Sequence, residues 1–103
     1  DMIISGGENI YPQEVEQVIY QHPSVAEASV FGIPDDKWGE AVCAAVAFKP
    51  RRSATEEELI NFCKERLASY KKPQSIYFLP ELPKSGAGKI LRKELRQRYA
   101  NEE

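Results

Sequence analysis

Apolar residues along this chain change their period several times, and each change marks an element. Met2–Ser5 is a short apolar run and Glu8–Tyr11 a second extended candidate, with Gly6-Gly7 between them. Two adjacent glycines tolerate positive φ at both centres of a tight turn, so the spacing predicts an N-terminal β-hairpin. Tyr11-Pro12-Gln13-Glu14 then opens a helix. Proline fits a first helical turn, and Glu14 and Glu16 suit the positive end of the dipole. Val15, Val18 and Ile19 repeat at helical spacing until His22-Pro23 ends the run.

Val25–Ile33 and Glu40–Lys49 read as strands, joined by the turn-rich Pro34-Asp35-Asp36-Lys37-Trp38-Gly39. In the second, Val42, Ala44, Val46 and Phe48 alternate with Ala41, Cys43, Ala45 and Ala47. Both faces are apolar, which predicts a central strand covered on both sides. After the polar loop Lys49-Pro50-Arg51-Arg52-Ser53, Thr55-Glu56-Glu57-Glu58 has the form of a capping box. It precedes a helix whose stripe is Leu59, Phe62, Cys63 and Leu67. Ser75–Leu79 is a third sheet strand and Pro80–Gly88 a loop. Leu91, Leu95 and Tyr99 form one face of a last helix, before the polar end Asn101-Glu102-Glu103. This order predicts an α+β fold: one small antiparallel sheet of about three strands flanked by helices, with the N-terminal β-hairpin.

Composition narrows the class. A length of 103 residues fits one domain, 1–103, large enough for a core without staples. With 42% hydrophobic and 29% charged residues, the chain is too apolar for intrinsic disorder. Its 14 Lys+Arg against 16 Asp+Glu, net charge −2, disfavour a general nucleic-acid binder. No stretch approaches the ~18 apolar residues of a membrane span. The opening on charged Asp1 is unlike a signal peptide. The expectation is a soluble cytoplasmic domain, and the abrupt start suggests a piece of a longer polypeptide. Cys43 and Cys63 are too few for a disulfide scaffold and read as buried thiols, with a Cys43–Cys63 bridge as the alternative. One histidine and two separated cysteines make no metal-ligand spacing, and His22 suits a structural place near a helix end.

The segment Pro83-Lys84-Ser85-Gly86-Ala87-Gly88-Lys89 resembles a phosphate loop but departs from its template. Pro83 stands where the first glycine belongs, and Ile90 where a Ser or Thr should follow the lysine. What remains is a lysine on a flexible glycine-bearing loop ahead of a helix. That suits a point charge delivered to a phosphate or carboxylate. On spacing alone, a solvated surface lysine stays open as the alternative.

Three segments together carry a more specific signal. Ser5-Gly6-Gly7-Glu8-Asn9-Ile10-Tyr11-Pro12-Gln13-Glu14-Val15-Glu16 resembles the hinge-side loop of the adenylate-forming acyl-CoA synthetases. Pro34-Asp35…Trp38-Gly39-Glu40 resembles their next signature, and Pro83-Lys84-Ser85…Gly88-Lys89-Ile90-Leu91-Arg92 their C-terminal catalytic-lysine motif. Order and spacing match over essentially the whole chain.

The resemblance implies the mobile C-terminal domain of a two-step ligase whose large N-terminal domain is absent here. A carboxylic acid and ATP, with Mg²⁺ held mainly by that domain and the phosphates, give an acyl-adenylate. The thiol of CoA then displaces AMP. In the family the small domain rotates between the steps.

For individual residues, the resemblance makes Lys89 the catalytic lysine, stabilising charge on carboxylate and α-phosphate. Gly6 and Gly7 become a tip that the pantetheine arm passes closely, and Glu8 and Asn9 hold the tip through contacts to the large domain. By analogy with the aromatic-acid branch, Trp38, Tyr70 and Lys72 take the nucleotide end of CoA. The bland alternatives are a sheet plug at Trp38 and a cationic helix end at Tyr70-Lys71-Lys72. A protein acetyltransferase acting on Lys89 would remove its charge. The rival readings are an adenylation domain feeding a carrier protein, a luciferase-like enzyme, and a non-catalytic interaction module.

Overall fold

A computed structural model describes residues 1–101, so the polar end at Glu102 and Glu103 lies outside the described residues. β1 (Ile3–Ser5) and β2 (Glu8–Ile10) form the expected hairpin. Gly6 and Gly7 close it with φ of 57° and 81°. α1 (Pro12–Tyr20) starts on its proline. β3 (Val25–Asp35) and β4 (Gly39–Phe48) follow, then α2 (Glu56–Lys64). A single 3-10 turn at Ser69–Lys71 leads to β5 (Ser75–Phe78), and α3 (Arg92–Ala100) ends the fold. The capping box is present: Thr55 Oγ1 accepts from the Glu58 N–H at 3.1 Å, and Glu58 Oε1 accepts from the Thr55 N–H at 2.9 Å.

The main sheet has the order β3-β4-β5, with β4 central. β3 and β4 are antiparallel, Val30 opposite Ala44. β5 runs parallel to β4, with Ala44 opposite Ile76, so the sheet is mixed where an antiparallel one was expected. The cause is the connection. The chain leaves β4, crosses through α2 and re-enters beside β4 in the same direction, as neighbouring parallel strands require. Apolar alternation in Ser75–Leu79 says which face a residue takes and nothing about strand direction.

Both faces of β4 are buried, as its pattern predicts. Val42, Ala44 and Val46 join Ile3, Ile10, Val15, Ile19 and Leu59 in one core, under the hairpin, α1 and α2. Ala41, Cys43, Ala45 and Ala47 join Phe31, Leu82, Leu95 and Tyr99 in a second core, under α3. The second face is built of small residues, and aromatic rings from the flanking elements fill the space. Tyr77 stacks on Tyr99 with centroids 3.8 Å apart, and Phe31 stacks on Tyr99 at 5.9 Å.

Side chains cover the open edges of this sheet. On β3 the Tyr20 hydroxyl accepts from the Ala28 N–H at 3.0 Å and donates to the Ala28 carbonyl at 3.3 Å. Glu16 Oε2 accepts from the Val30 N–H at 2.8 Å, and Arg96 Nε donates to the Gly32 carbonyl at 2.8 Å. On β5 the Ile76 N–H is taken by Glu56 Oε2 at 2.8 Å. Among the described residues no helix is long and apolar enough to cross a membrane.

Cys43 and Cys63 are free and buried in the two different cores, on opposite faces of the sheet, so they cannot bridge. Burial pushes each thiol up to about 11; the charges of Asp35 and Glu56 add to the effect at Cys43, and Arg66 opposes it at Cys63. Neither thiol should react with iodoacetamide at pH 8 until the chain is unfolded, and both should react promptly in denaturant. Mass spectrometry of timed samples checks this, and prompt labelling of the native chain would contradict the packing.

Candidate functional site

The first candidate site is built where β3 turns into β4. Asp35 Oδ2 accepts from the Lys37 N–H at 3.0 Å and the Trp38 N–H at 2.8 Å, and Gly39 reverses the chain at φ 84°. These bonds hold Trp38 at the turn with its residue surface 42% exposed. The hairpin tip is tied to the same turn, because the Gly6 N–H donates to the Trp38 carbonyl at 2.8 Å. A Cβ at Gly6 would lie 3.0 Å from Trp38 Cε3, so the indole needs a bare backbone beneath it. A Cβ at Gly7 would meet nothing within 4 Å. Gly7 is therefore set by its backbone angle alone, at a tip with open space above it.

Gly6, Glu8, Trp38, Tyr70 and Lys72 line one cleft of about 280 Å³. The structure thus brings together five residues drawn from three separate segments. Gly7 lies at its rim in sequence but is not part of its lining, and Asn9 lines neither this cleft nor the lysine site. The two adjacent lysines are divided between tasks. Lys71 turns to Glu14, at 2.9 Å, and that hydrogen bond holds its ammonium above the ordinary lysine range despite some opposing desolvation. Lys72 stays at the cleft, its Nζ donating to the Ser69 carbonyl at 3.3 Å.

Ser5, Ser69 and Gln74 complete the lining, and sequence reasoning missed them. For Gln74 a signal existed. Lys72 and Gln74 flank the buried Pro73 on an extended segment, where residues two apart share a face. Aromatic walls, the Lys72 cation and uncharged polar groups suit a flat ring attached to phosphate, with the Glu8 carboxylate as the one anion of the lining.

The second site is the turn that carries Lys89. It is no loose loop, contrary to the expectation of flexibility. Lys84 and Ile90 form a β-bridge, and the Leu91 N–H donates to the Pro83 carbonyl at 2.9 Å. Inside, the Ser85 N–H donates to the Lys89 carbonyl at 2.8 Å, the Gly88 N–H to the Ser85 carbonyl at 2.9 Å, and the Lys89 N–H to Ser85 Oγ at 3.2 Å. Of its two glycines, Gly88 takes positive φ, 85°.

The cations of this turn differ in their pairing. Lys84 pairs with Glu27, and Arg92 with Glu16 at 2.8 Å and Asp1 at 2.8 Å. Lys89 is exposed and has no ion-pair partner among the described residues. It borders a polar cleft of about 380 Å³ along the β3 edge, with Gln13, Glu16, Tyr20 and Ser29. That cleft and the Trp38 cleft share no residue.

His22 is structural: its Nδ1 accepts from the Ser24 N–H at 3.1 Å and its ring meets Phe62 edge-on. Among the described residues no group of three or more His, Cys, Asp or Glu is placed to hold a metal ion.

Comparison with known proteins gives four consistent findings. Residues 14–89 match the family model described as AMP-binding enzyme C-terminal domain. Over 97 residues the chain is 54% identical to a 2-succinylbenzoate–CoA ligase of Bacillus cereus, covering 94% of this chain and 20% of that protein. It superposes on Mycobacterium tuberculosis fatty acyl CoA synthetase with a TM-score of 0.90 and 45% identity, over 97% of this chain and 20% of that one. It also superposes on o-succinylbenzoate CoA synthetase from Bacillus subtilis, bound with a product analogue, with a TM-score of 0.86 and 48% identity, over 92% and 19%. The chain spans about a fifth of the length of the relatives it matches.

The root of the lysine turn gives a pH prediction. Burial alone would raise the Glu27 carboxyl. Hydrogen bonds from Lys84 and the Leu82 N–H, with the Lys84 charge, outweigh it and hold the group below its ordinary value of 4.5. A depressed carboxyl contributes stability that is complete above the unfolded value and lost as pH falls through the folded one. The Leu82 amide resonance should stay constant above about pH 5 and titrate below 4.5, before the β4 amides move. A midpoint at or above 4.5 would contradict this arrangement.

Proposed function

This chain belongs to the family of AMP-binding enzyme C-terminal domains, and we propose that it is the mobile small domain of an ATP-dependent carboxylate–CoA ligase. In this reading residues 1–103 are one domain working against a large N-terminal domain. Lys89 serves acyl-adenylate formation, and the Trp38 cleft with the Gly6-Gly7 tip serves thioester formation. The observation that supports the reading is the presence of two separate open clefts, lined by different residues, on one fold. In this reading a second domain closes each of them.

In the first step the substrate carboxylate attacks the α-phosphorus of ATP and pyrophosphate leaves. Negative charge gathers on the phosphoryl oxygens, and an unpaired ammonium held on a closed turn meets it without first breaking another ion pair. In the second step the CoA sulfur attacks the acyl carbonyl, its proton is lost to solvent or base, and AMP leaves. The adenine of CoA lies against Trp38 and Tyr70, Lys72 pairs with a CoA phosphate, and pantetheine runs past the bare tip at Gly7. The donor set here does not fit Mg²⁺, since the described residues form no carboxylate cluster. The ion belongs with the nucleotide phosphates and the larger domain. Relatives named for 2-succinylbenzoate and for fatty acyl groups support a carboxylic acid substrate of that broad class. The acyl pocket is assigned to the larger domain. Use of ATP and CoA supports a cytoplasmic setting.

In a full-length enzyme carrying this domain, Lys89→Ala should slow adenylate formation by about 10²–10³, the usual cost of removing one preorganised transition-state contact. Thioester formation from supplied acyl-adenylate should fall far less. Acetylation of Lys89 by a protein acetyltransferase should have the same effect as the alanine. ATP–pyrophosphate exchange and a single-turnover thioester assay measure the two steps, and equal loss in both would remove Lys89 from its role.

Gly7→Leu should act on the opposite step. The side chain enters the open space above the tip and strains a residue at φ 81°. With a near-parental melt as control, thioester formation should drop at least tenfold while adenylation persists. An effect on neither step, or equally on both, leaves the tip a plain turn. Turnover with a carrier-protein thiol and none with CoA would reassign the second step.

A further inference from the structure

The Lys89 turn is held at both roots by carboxylates from other elements, and neither pairs with Lys89 itself. We propose that Glu27 and Glu16 are positioning residues for the Lys89 ammonium, clamping the chain before and after its turn and so fixing its reach. The inference rests on the catalytic reading of Lys89 and deepens it.

Glu27 holds the first root. Its Oε1 accepts from the Leu82 N–H at 3.1 Å, and its other oxygen pairs with Lys84. The way Glu27 comes to face the turn is a feature of the strand. In regular β structure Val25 and Glu27 would share a face. Here the register slips between them, Val25 standing opposite Phe48 and Glu27 opposite Ala47. Glu27 alternates with Ser29 and Phe31 and so takes the α3 side of the sheet, where Leu82 packs, while the bulge turns Val25 into the opposite core.

Glu16 holds the second root, three residues after Lys89. Arg92 Nη2 donates to Glu16 Oε1 at 3.0 Å and Oε2 at 2.8 Å, with Nε at 3.3 Å from the same Oε2. Glu16 Oε2 also accepts from the Val30 N–H at 2.8 Å, so one carboxylate joins α1, the β3 edge and the turn. The side chains of Glu16 and Arg92 are only 14% and 24% exposed, which shelters the pair from solvent. Neither glutamate belongs to the apolar cores. Their contacts span 76 and 55 residues of sequence, and each ends on the turn. An ammonium displaced by ~1 Å can lose ~10²-fold in rate, so fixing both roots bears directly on the chemistry.

Glu27→Gln and Glu16→Gln test this, because each amide keeps an acceptor for the Leu82 or Val30 N–H while losing the charge pair. Lys84→Met and Arg92→Met break the same pairs from the other side and carry the test if a glutamine variant folds poorly. On the 103-residue chain, hydrogen exchange at Gly88, Lys89 and Leu91 should accelerate at least tenfold while the β4 amides keep their protection. In the full-length enzyme, kcat for ATP–pyrophosphate exchange should fall ~10–100-fold with the KM for ATP within about twofold. Thioester formation from acyl-adenylate should stay unchanged.

Unaltered exchange in the turn overturns the clamp. A looser turn with undiminished adenylation, or equal loss of both half-reactions together with β4 protection, overturns the positioning role. If Lys89→Ala leaves adenylation intact, the catalytic reading fails instead, whatever the turn exchange shows.

Discussion

A strand buried on both faces cannot exist without a layer on each side of it, and β4 imposes that requirement on everything else in the chain. Valines on one face demand the hairpin, α1 and α2, while alanines and Cys43 on the other leave a shallow floor that only large rings can fill. Phe31, Tyr77 and Tyr99 supply those rings, and Tyr99 brings α3 with it. Because α3 follows the lysine turn directly, packing a tyrosine over alanines also settles where Lys89 emerges. The hairpin is placed from the other side, by Ile3 and Ile10 in the first core. Two chemically different ends of the molecule are thus hung from the two faces of one strand.

Charge pairing then sorts the cations. Lys71, Lys84, Arg92 and Arg96 each meet a carboxylate, and these contacts join α1 to the 3-10 turn, β3 to the lysine turn and α3 to β4. Glu40 takes part twice, accepting from the Ile4 N–H at 2.9 Å and facing Arg96 at 3.3 Å, which ties the hairpin to α3. Lys72 and Lys89 are left outside this network, one at each candidate site. The more exposed of these pairs add little to stability. Their effect is on placement, since each fixes one element relative to another.

Much of this was legible from residue order. Alternation in 40–48 announced a doubly covered strand, Gly6-Gly7 announced a turn, and Thr55 with Glu58 announced a capped helix, because each is a local rule acting over a few residues. The direction of β5 was not legible, since it is decided by the path of the α2 connection. The closure of the lysine turn was missed because Gly86 and Gly88 suggested looseness. The Ser85 backbone and hydroxyl bonds that close it follow from chain geometry that composition does not reveal. Among site residues, Gly6, Glu8, Trp38, Tyr70 and Lys72 came through resemblance, and their convergence in one cleft could not have been read from spacing. Glu27 escaped notice for a different reason: alternation with Ser29 and Phe31 gives its face, but its partners Leu82 and Lys84 lie far along the chain and no local rule pairs them.

The covered edges of the sheet have a consequence of their own. Unpaired strand edges are templates on which another chain can add a strand, the usual first step toward aggregation. Here Tyr20, Glu16 and Arg96 occupy the polar groups of β3, and Glu56 one of β5, leaving an incoming chain fewer partners. In the proposed two-pose cycle the domain would present its flanks to solvent in transit, and side-chain caps would keep those flanks from adhering. Glu16 then belongs at once to colloidal stability and to the lysine turn. A substitution there that removes the acceptor as well as the charge would loosen the turn and uncover an edge together, so solubility and turnover of such an enzyme are expected to decline in step.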